Sequence, residues 1–159
     1  MAIYRVINGK HYTLNGVIDY TRDTVSHNNQ VITTGGYGVS IANPTADMQY
    51  VKALFNKHYG KEYIHVILSL DSDEKPNQLD ANNLFDEYAH SIYISTGCQV
   101  YYSIHGNTNN LHCHYIINTV RMADGNKLHL SFATFYALRN EADLLLFKYG
   151  FKPIKVISD

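Results

Sequence analysis

The hydrophobic positions of this chain change period several times, and each change marks an element. "AIYRVI" (residues 2–7) reads as a first strand, and "NGKHY" (8–12) as the turn after it. Thr13 can cap a short helix in which Leu14, Val17, Ile18 and Thr21 share a face. "QVITTGGYGVSIAN" (30–43) is strand or loop bent by Gly35, Gly36 and Gly38. Asn43-Pro44 starts a helix whose period is kept by Met48, Val51, Phe55 and His58 and stopped by Gly60. "EYIHVILSL" (62–70) then alternates, with Ile64, Val66, Leu68 and Leu70 on one side and Tyr63, His65, Ile67 and Ser69 on the other.

A helix over Leu79–Ser95 follows, striped by Ala81, Leu84, Phe85, Tyr88, Ala89 and Ile92. "CQVYYSIH" (98–105) and "LHCHYIINTV" (111–120) alternate again. In the second of these, His112, His114, Ile116 and Asn118 face away from Leu111, Cys113, Tyr115 and Ile117. "ADGNK" (123–127) carries an Asp-Gly turn. The last helix is capped by Ser131 and ended by Gly150. Strands interleaved with helices, with at least one hairpin, predict an α+β fold with a mainly antiparallel central sheet. Helices are expected on its apolar face and polar chemistry on the other.

Length suits one domain, residues 1–159, either whole or the N-terminal part of a longer protein. The composition, 45% apolar and 17% charged, is that of an ordinary globular chain, although fourteen tyrosines without a tryptophan are unusual. No apolar run is long enough to span a membrane and the first residues lack a signal-peptide core, so membrane insertion is not expected and the cytoplasm is the default location. Cys98 and Cys113 have no metal-type spacing and read as reduced, buried thiols. A net charge of −1 means that any nucleic-acid contact needs a local basic surface.

The stretch "HGNTNNLHCH" (105–114) changes the picture. Gly106 to Asn110 have turn chemistry, and if they close a hairpin His105 and His112 come opposite each other. His114 lies one pleat further on the same face. Three imidazoles then converge on one point, as a facial metal site with open coordination positions requires. Imidazole ligands leave a divalent ion its full charge, suited to polarising a phosphoryl or carbonyl oxygen. The spacing leaves zinc, manganese and magnesium open, and histidine favours the transition metals. His11, His27, His58 and His90 read as ordinary structural or surface histidines.

The run H-x6-H-x-H followed by "YIIN" resembles the histidine motif of conjugative relaxases, the mobilisation nickases of the HUH endonuclease superfamily. "TLNGVIDYTRD" is similar to their first motif, "YIHVILSL" to their central strand, and "ADGNKLHLS" through "LRNEADLLLFKYG" to the segment after the histidines. The resemblance implies a metal-dependent enzyme that nicks and rejoins one strand at a plasmid or mobile-element transfer origin. It does so through a covalent 5′-phosphotyrosine intermediate, and so initiates conjugative transfer. By position it makes Tyr20 the nucleophile and His105, His112 and His114 the ligands of a divalent ion, manganese, magnesium or another transition metal. His65, Asn107, Asn118, Arg121 and Lys127 are the candidates for supporting those ligands or contacting phosphate. The partners it implies are single-stranded or locally melted DNA, relaxosome accessory proteins and the transfer machinery. The chain departs from the family pattern at Asn107, where an acidic residue is common, and in "TRDTVSHNN", which lacks a lysine.

A phenol ionises near pH 10, so forming the phenolate at pH 7 costs about 4 kcal/mol, which a nearby cation lowers. Tyr20 falls about 110° round its helix from the Leu14–Val17–Ile18 stripe, at the border of the buried face. Three other readings share parts of the pattern. A rolling-circle replication initiator would use the same metal and tyrosine, a metal-dependent hydrolase would use water instead, and a non-catalytic metal- or DNA-binding module would keep only the fold.

Overall fold

A computed structural model of the chain describes residues 1–7, 13–23, 30–106 and 110–155. The expected turn at 8–12, His11, His27 and Asn107 lie outside these residues. The elements follow in chain order: β1 (Ile3–Ile7), α1 (Leu14–Arg22), β2 (Val31–Tyr37), α2 (Pro44–Leu54), β3 (Tyr63–Ser69), α3 (Gln78–Thr96), β4 (Cys98–His105), β5 (His112–Arg121) and α4 (Phe132–Lys148). The strands form one sheet in the order β1-β3-β5-β4-β2, every neighbouring pair antiparallel. β5 is therefore central and buried on both faces, so its backbone is held by a strand on either side. Outside β1, Ala2 makes a parallel bridge to Ile154, which returns the C-terminal segment to that edge.

One face of the sheet carries the principal core. Ile64, Val66 and Leu68 of β3, Val100, Tyr102 and Ile104 of β4, and Cys113, Tyr115 and Ile117 of β5 meet the α3 stripe Ala81, Leu84, Phe85, Tyr88, Ala89 and Ile92. Leu138, Ala142 and Leu146 of α4 join them. The period-2 pattern of each strand and the helical stripe of α3 are thus used as the sequence predicts. α3 is capped by Asn77, whose side chain accepts from the Leu79 and Asp80 amides, and it ends at Gly97 with φ 69°. Cys98 and Cys113 are both buried free thiols.

Two details differ from the sequence reading, and one open alternative is decided. α2 stops at Leu54, one turn short of His58, which is exposed. Asn56 takes a left-handed φ of 52°, and the Lys57 amide closes the helix end on the Lys52 carbonyl at 2.9 Å. Phe55 lies against Gly125, where a Cβ would come within 2.3 Å of its ring, so tertiary packing ends the helix before Gly60 does. The glycine-rich segment is a true edge strand, because Gly35 lies flat over the Tyr102 ring, where a Cβ would come within 2.4 Å. Finally, helices occupy both faces. α3 and α4 cover the apolar one, while Leu14, Val17 and Ile18 of α1 and Met48 of α2 pack on Tyr63, Tyr101 and Ile116 of the histidine face. Those three sheet residues form an apolar patch beside the polar positions, and burying it fixes α1 over the sheet.

Tyrosine takes the place of tryptophan in this core. The Tyr4 and Tyr88 hydroxyls are 2.9 Å apart, Tyr88 donates to the Leu138 carbonyl, and Tyr115 donates to the Phe85 carbonyl. Burial pushes the Tyr4 phenol up to about 12 and raises Tyr88 and Tyr115 well above the ordinary value of 10. Their folded-state pKa values lie above the unfolded ones, so their contribution is complete below pH 10 and is lost as pH rises towards 12. In an alkaline titration, tyrosinate absorbance from these rings should appear together with loss of the helical circular dichroism. Ionisation of all fourteen tyrosines while the helical signal stays intact would contradict this burial.

Candidate metal centre and tyrosine

The hairpin of β4 and β5 pairs His105 with His112 and Ser103 with His114. All three imidazoles project from the face that carries α1. Their ring centroids are 4.5 Å (His105 to His114), 5.2 Å (His112 to His114) and 5.3 Å (His105 to His112) apart. One ring nitrogen from each lies within 4.8 Å of the others. All three residues are buried, His112 the least at 9% exposure.

Outer hydrogen bonds orient each ring. His105 Nε2 lies 2.5 Å from the Thr21 carbonyl oxygen and 3.0 Å from Ser103 Oγ, which itself donates to Thr21 at 2.8 Å. His112 Nδ1 lies 3.0 Å from the Asn110 carbonyl. A carbonyl only accepts, so in both rings that nitrogen carries a proton, and in the neutral ring a metal ion needs, the lone pair is on the other one. His114 Nδ1 lies 2.9 Å from His65 Nε2, and burial pushes the His65 imidazole down to about 4. His65 is therefore neutral at pH 7 and can accept from His114, which leaves the His114 lone pair on Nε2. Three imidazoles, each with an outer hydrogen-bond partner, match the donor set of a divalent transition ion and the outer partners that metal-bound histidines have.

The sheet brings His65 against His114 because Ile67 pairs with His114 and His65 with Ile116. His65→Ala is expected to lower metal affinity about 10- to 100-fold, the usual cost of losing such an outer partner. Calorimetric titration with manganese would measure it, and an unchanged affinity would mean that His114 is oriented without His65.

Tyr20 lies in the last turn of α1, 40% exposed, immediately before the buried Thr21 whose carbonyl contacts His105 and Ser103. The end of the tyrosine helix is thus tied directly to a histidine of the trio. Ser103 and Thr21 make this link, and the sequence reading places neither at the site, naming Thr21 only for the helix face. The only local signal was that Ser103 shares the His105 face and Thr21 follows the tyrosine. Arg22, paired to Asp19 at 2.7 Å, adds a cation two residues from Tyr20.

The remaining candidates are not gathered at the histidines. Asn118 is fully buried two pleats away, where it donates to Gln99 Oε1 at 2.9 Å and to the Met48 carbonyl at 3.4 Å, tying α2 to the sheet. Arg121 Nε donates to the Thr96 carbonyl at the far end of β5, and Lys127 Nζ donates to the carbonyls of Tyr59 and Lys61. Lys52 is buried and donates to the Glu62 carbonyl at 2.7 Å, so it is part of the fold.

A five-stranded antiparallel sheet with three converging histidines under the end of a short helix defines an α+β protein with a centre of the HUH type. A family model described as "Relaxase: MobA/VirD2-like, nuclease domain" matches residues 12–151, and the chain belongs to that family. Relaxases nick DNA in conjugative transfer, and this is their nuclease domain. A solved structure from work on the molecular basis of vancomycin resistance transfer in Staphylococcus aureus has a similar fold. Its TM-score is 0.56 and its identity 16%, over 83% of this chain and 78% of that one. No curated protein matches the chain. Among the described residues, no helix is long and apolar enough to cross a membrane.

Proposed function

We propose that the chain is a metal-dependent, site- and strand-specific DNA nickase that cuts and rejoins one strand at a transfer origin through a 5′-phosphotyrosine intermediate. The observation that carries this reading is the hydrogen bond of His105 to the carbonyl of Thr21, which holds the turn bearing Tyr20 against the histidine trio. In the reaction the Tyr20 phenolic oxygen attacks phosphorus and a new O–P bond forms. The P–O3′ bond breaks, and the departing 3′ oxygen takes up a proton to become a hydroxyl. One phosphoester replaces another, so the reverse attack by a 3′ hydroxyl rejoins the strand without ATP. A divalent ion held by His105, His112 and His114 would supply positive charge to the scissile phosphate oxygens.

The chain's own residues do the positioning. Ser103 and His105 fix the end of α1, Asn110 and His65 orient His112 and His114, and Arg22, paired to Asp19, would add positive charge two residues from Tyr20. Residues 1–159 act as one nuclease domain. Its place of action is the cytoplasm, with accessory relaxosome proteins and the transfer machinery as partners.

A tyrosine at the end of a helix over the sheet needs a phosphodiester it can approach from one side, which favours single-stranded or locally melted DNA. Labelled oligonucleotides from a candidate transfer origin should be cut as single strands and resist cutting as linear duplexes. Affinity should fall as salt rises, because phosphate contacts release counterions. Equal rates on fully paired linear duplex would sink this reading.

A further inference from the structure

Lys127, expected to contact phosphate, lies at the other end of the sheet from the histidines, in an organised cluster. The loop after α2 and the turn after β5 lock together through Phe55 on Gly125, which has φ 71° and no room for a Cβ. Across this junction the ring of Tyr59, 62% exposed, is close to two ammonium groups. Lys127 Nζ is 5.2 Å from its ring centroid and Lys57 Nζ 5.9 Å. Lys57 also donates to the Tyr59 hydroxyl at 3.4 Å, and Lys127 to the Tyr59 and Lys61 carbonyls. Gly60, φ 73°, lets Lys127 approach, since a Cβ there would be 3.0 Å from Nζ.

Neither Lys57 nor Lys127 forms an ion pair among the described residues, whereas Arg22, Lys148 and Lys152 each have a carboxylate. The carboxylates adjacent in sequence are turned elsewhere. Glu62 accepts from the Leu14 amide, and Asp124 from the Asn126 amide and side chain. Two cations are therefore held by neutral oxygens and a π face, fixed in place with their charge uncompensated. In a chain of net charge −1 that is a local concentration of positive charge.

We infer that Lys57, Tyr59 and Lys127 form a second contact for the DNA strand, binding its phosphate backbone away from the histidine centre. This rests on the DNA-nicking reading above. Ile67, the β3 partner of His114, is six residues from Lys61. At about 3.3 Å per residue the two sites are roughly 20 Å apart. That separation corresponds to about six stacked nucleotides at 3.4 Å each. The strand is held at two points, so the patch sets affinity and register and the histidine end carries out the chemistry.

The test is fluorescence anisotropy with labelled single-stranded dT20 over a series of salt concentrations. It compares the wild type, Lys57→Gln/Lys127→Gln, and a control with the same charge change on the α4 side, Lys148→Gln/Lys155→Gln. Each phosphate contact on single-stranded DNA contributes about 0.7 to the slope of log affinity against log salt. The patch variant should lose about 1.4 from that slope and roughly tenfold in affinity at low salt, and the control should lose much less. A patch variant with the wild-type slope, or one that falls no further than the control, overturns the second contact and leaves the nickase reading standing. A wild type that does not bind dT20 at all overturns both.

Discussion

Tyr20→Phe is expected to reduce strand cleavage by on the order of 10⁴-fold while leaving the fold and metal binding unchanged. The substitution keeps the ring and removes only the oxygen that could attack phosphorus. The packed ring is retained and the position is 40% exposed, so stability should move by less than about 0.5 kcal/mol. With the wild-type protein, mass spectrometry of protease digests should find a nucleotide on the Tyr20 peptide, and the released strand should end in a free 3′ hydroxyl. A Tyr20→Phe protein that cuts at the wild-type rate would assign the attack to another tyrosine or to water. An adduct on Tyr4 or Tyr12 would keep the covalent chemistry and move the nucleophile. For Tyr4 this conflicts with the fold, because its hydroxyl is buried against Tyr88 on the α3 side.

His112→Ala is the sharper of the ligand substitutions. His112 is the least buried of the trio, and its hydrogen bond to the Asn110 carbonyl is to the main chain. Metal affinity should fall more than about 100-fold, beyond the loss expected for an outer partner such as His65, and cleavage should fall with it. Thermal melting should stay close to the wild type. His114→Ala should abolish binding as well, but it also leaves His65 Nε2 buried without its hydrogen bond, a cost of about 1–3 kcal/mol. Manganese titration and a nicking assay on both variants would check this. Unchanged affinity in both would mean that the trio is not the metal centre.

The opening stretch of the hairpin illustrates what local pattern can determine. Alternation put His105, His112 and His114 on one face, and the antiparallel register of a short turn then leaves little freedom in where they meet. The stripes of α1 and α3 and the apolar sides of β3, β4 and β5 were legible for the same reason, since each depends on residues within a few positions of one another. The tyrosine's rank among fourteen came from family likeness, because nothing local distinguishes a nucleophile from a packing ring.

Only the tertiary structure decided what spans distant segments. The end of α2 depends on Phe55 meeting Gly125, seventy positions further along. The seat of α1 depends on Tyr63, Tyr101 and Ile116, drawn from three strands. The link from Thr21 to Ser103 and His105 joins residues more than eighty positions apart. Lys127 and Asn118 show the same limit from the other side, since both have suitable chemistry and a plausible place in the sequence. Strand length carries Lys127 to the far end of the sheet, and a hydrogen bond to Gln99 holds Asn118 within the fold. Sequence period determines which face a side chain takes, because that is a property of a single backbone segment. How far along the sheet it lies from its partners, and what covers it, is decided by strand order and packing, which no single segment contains.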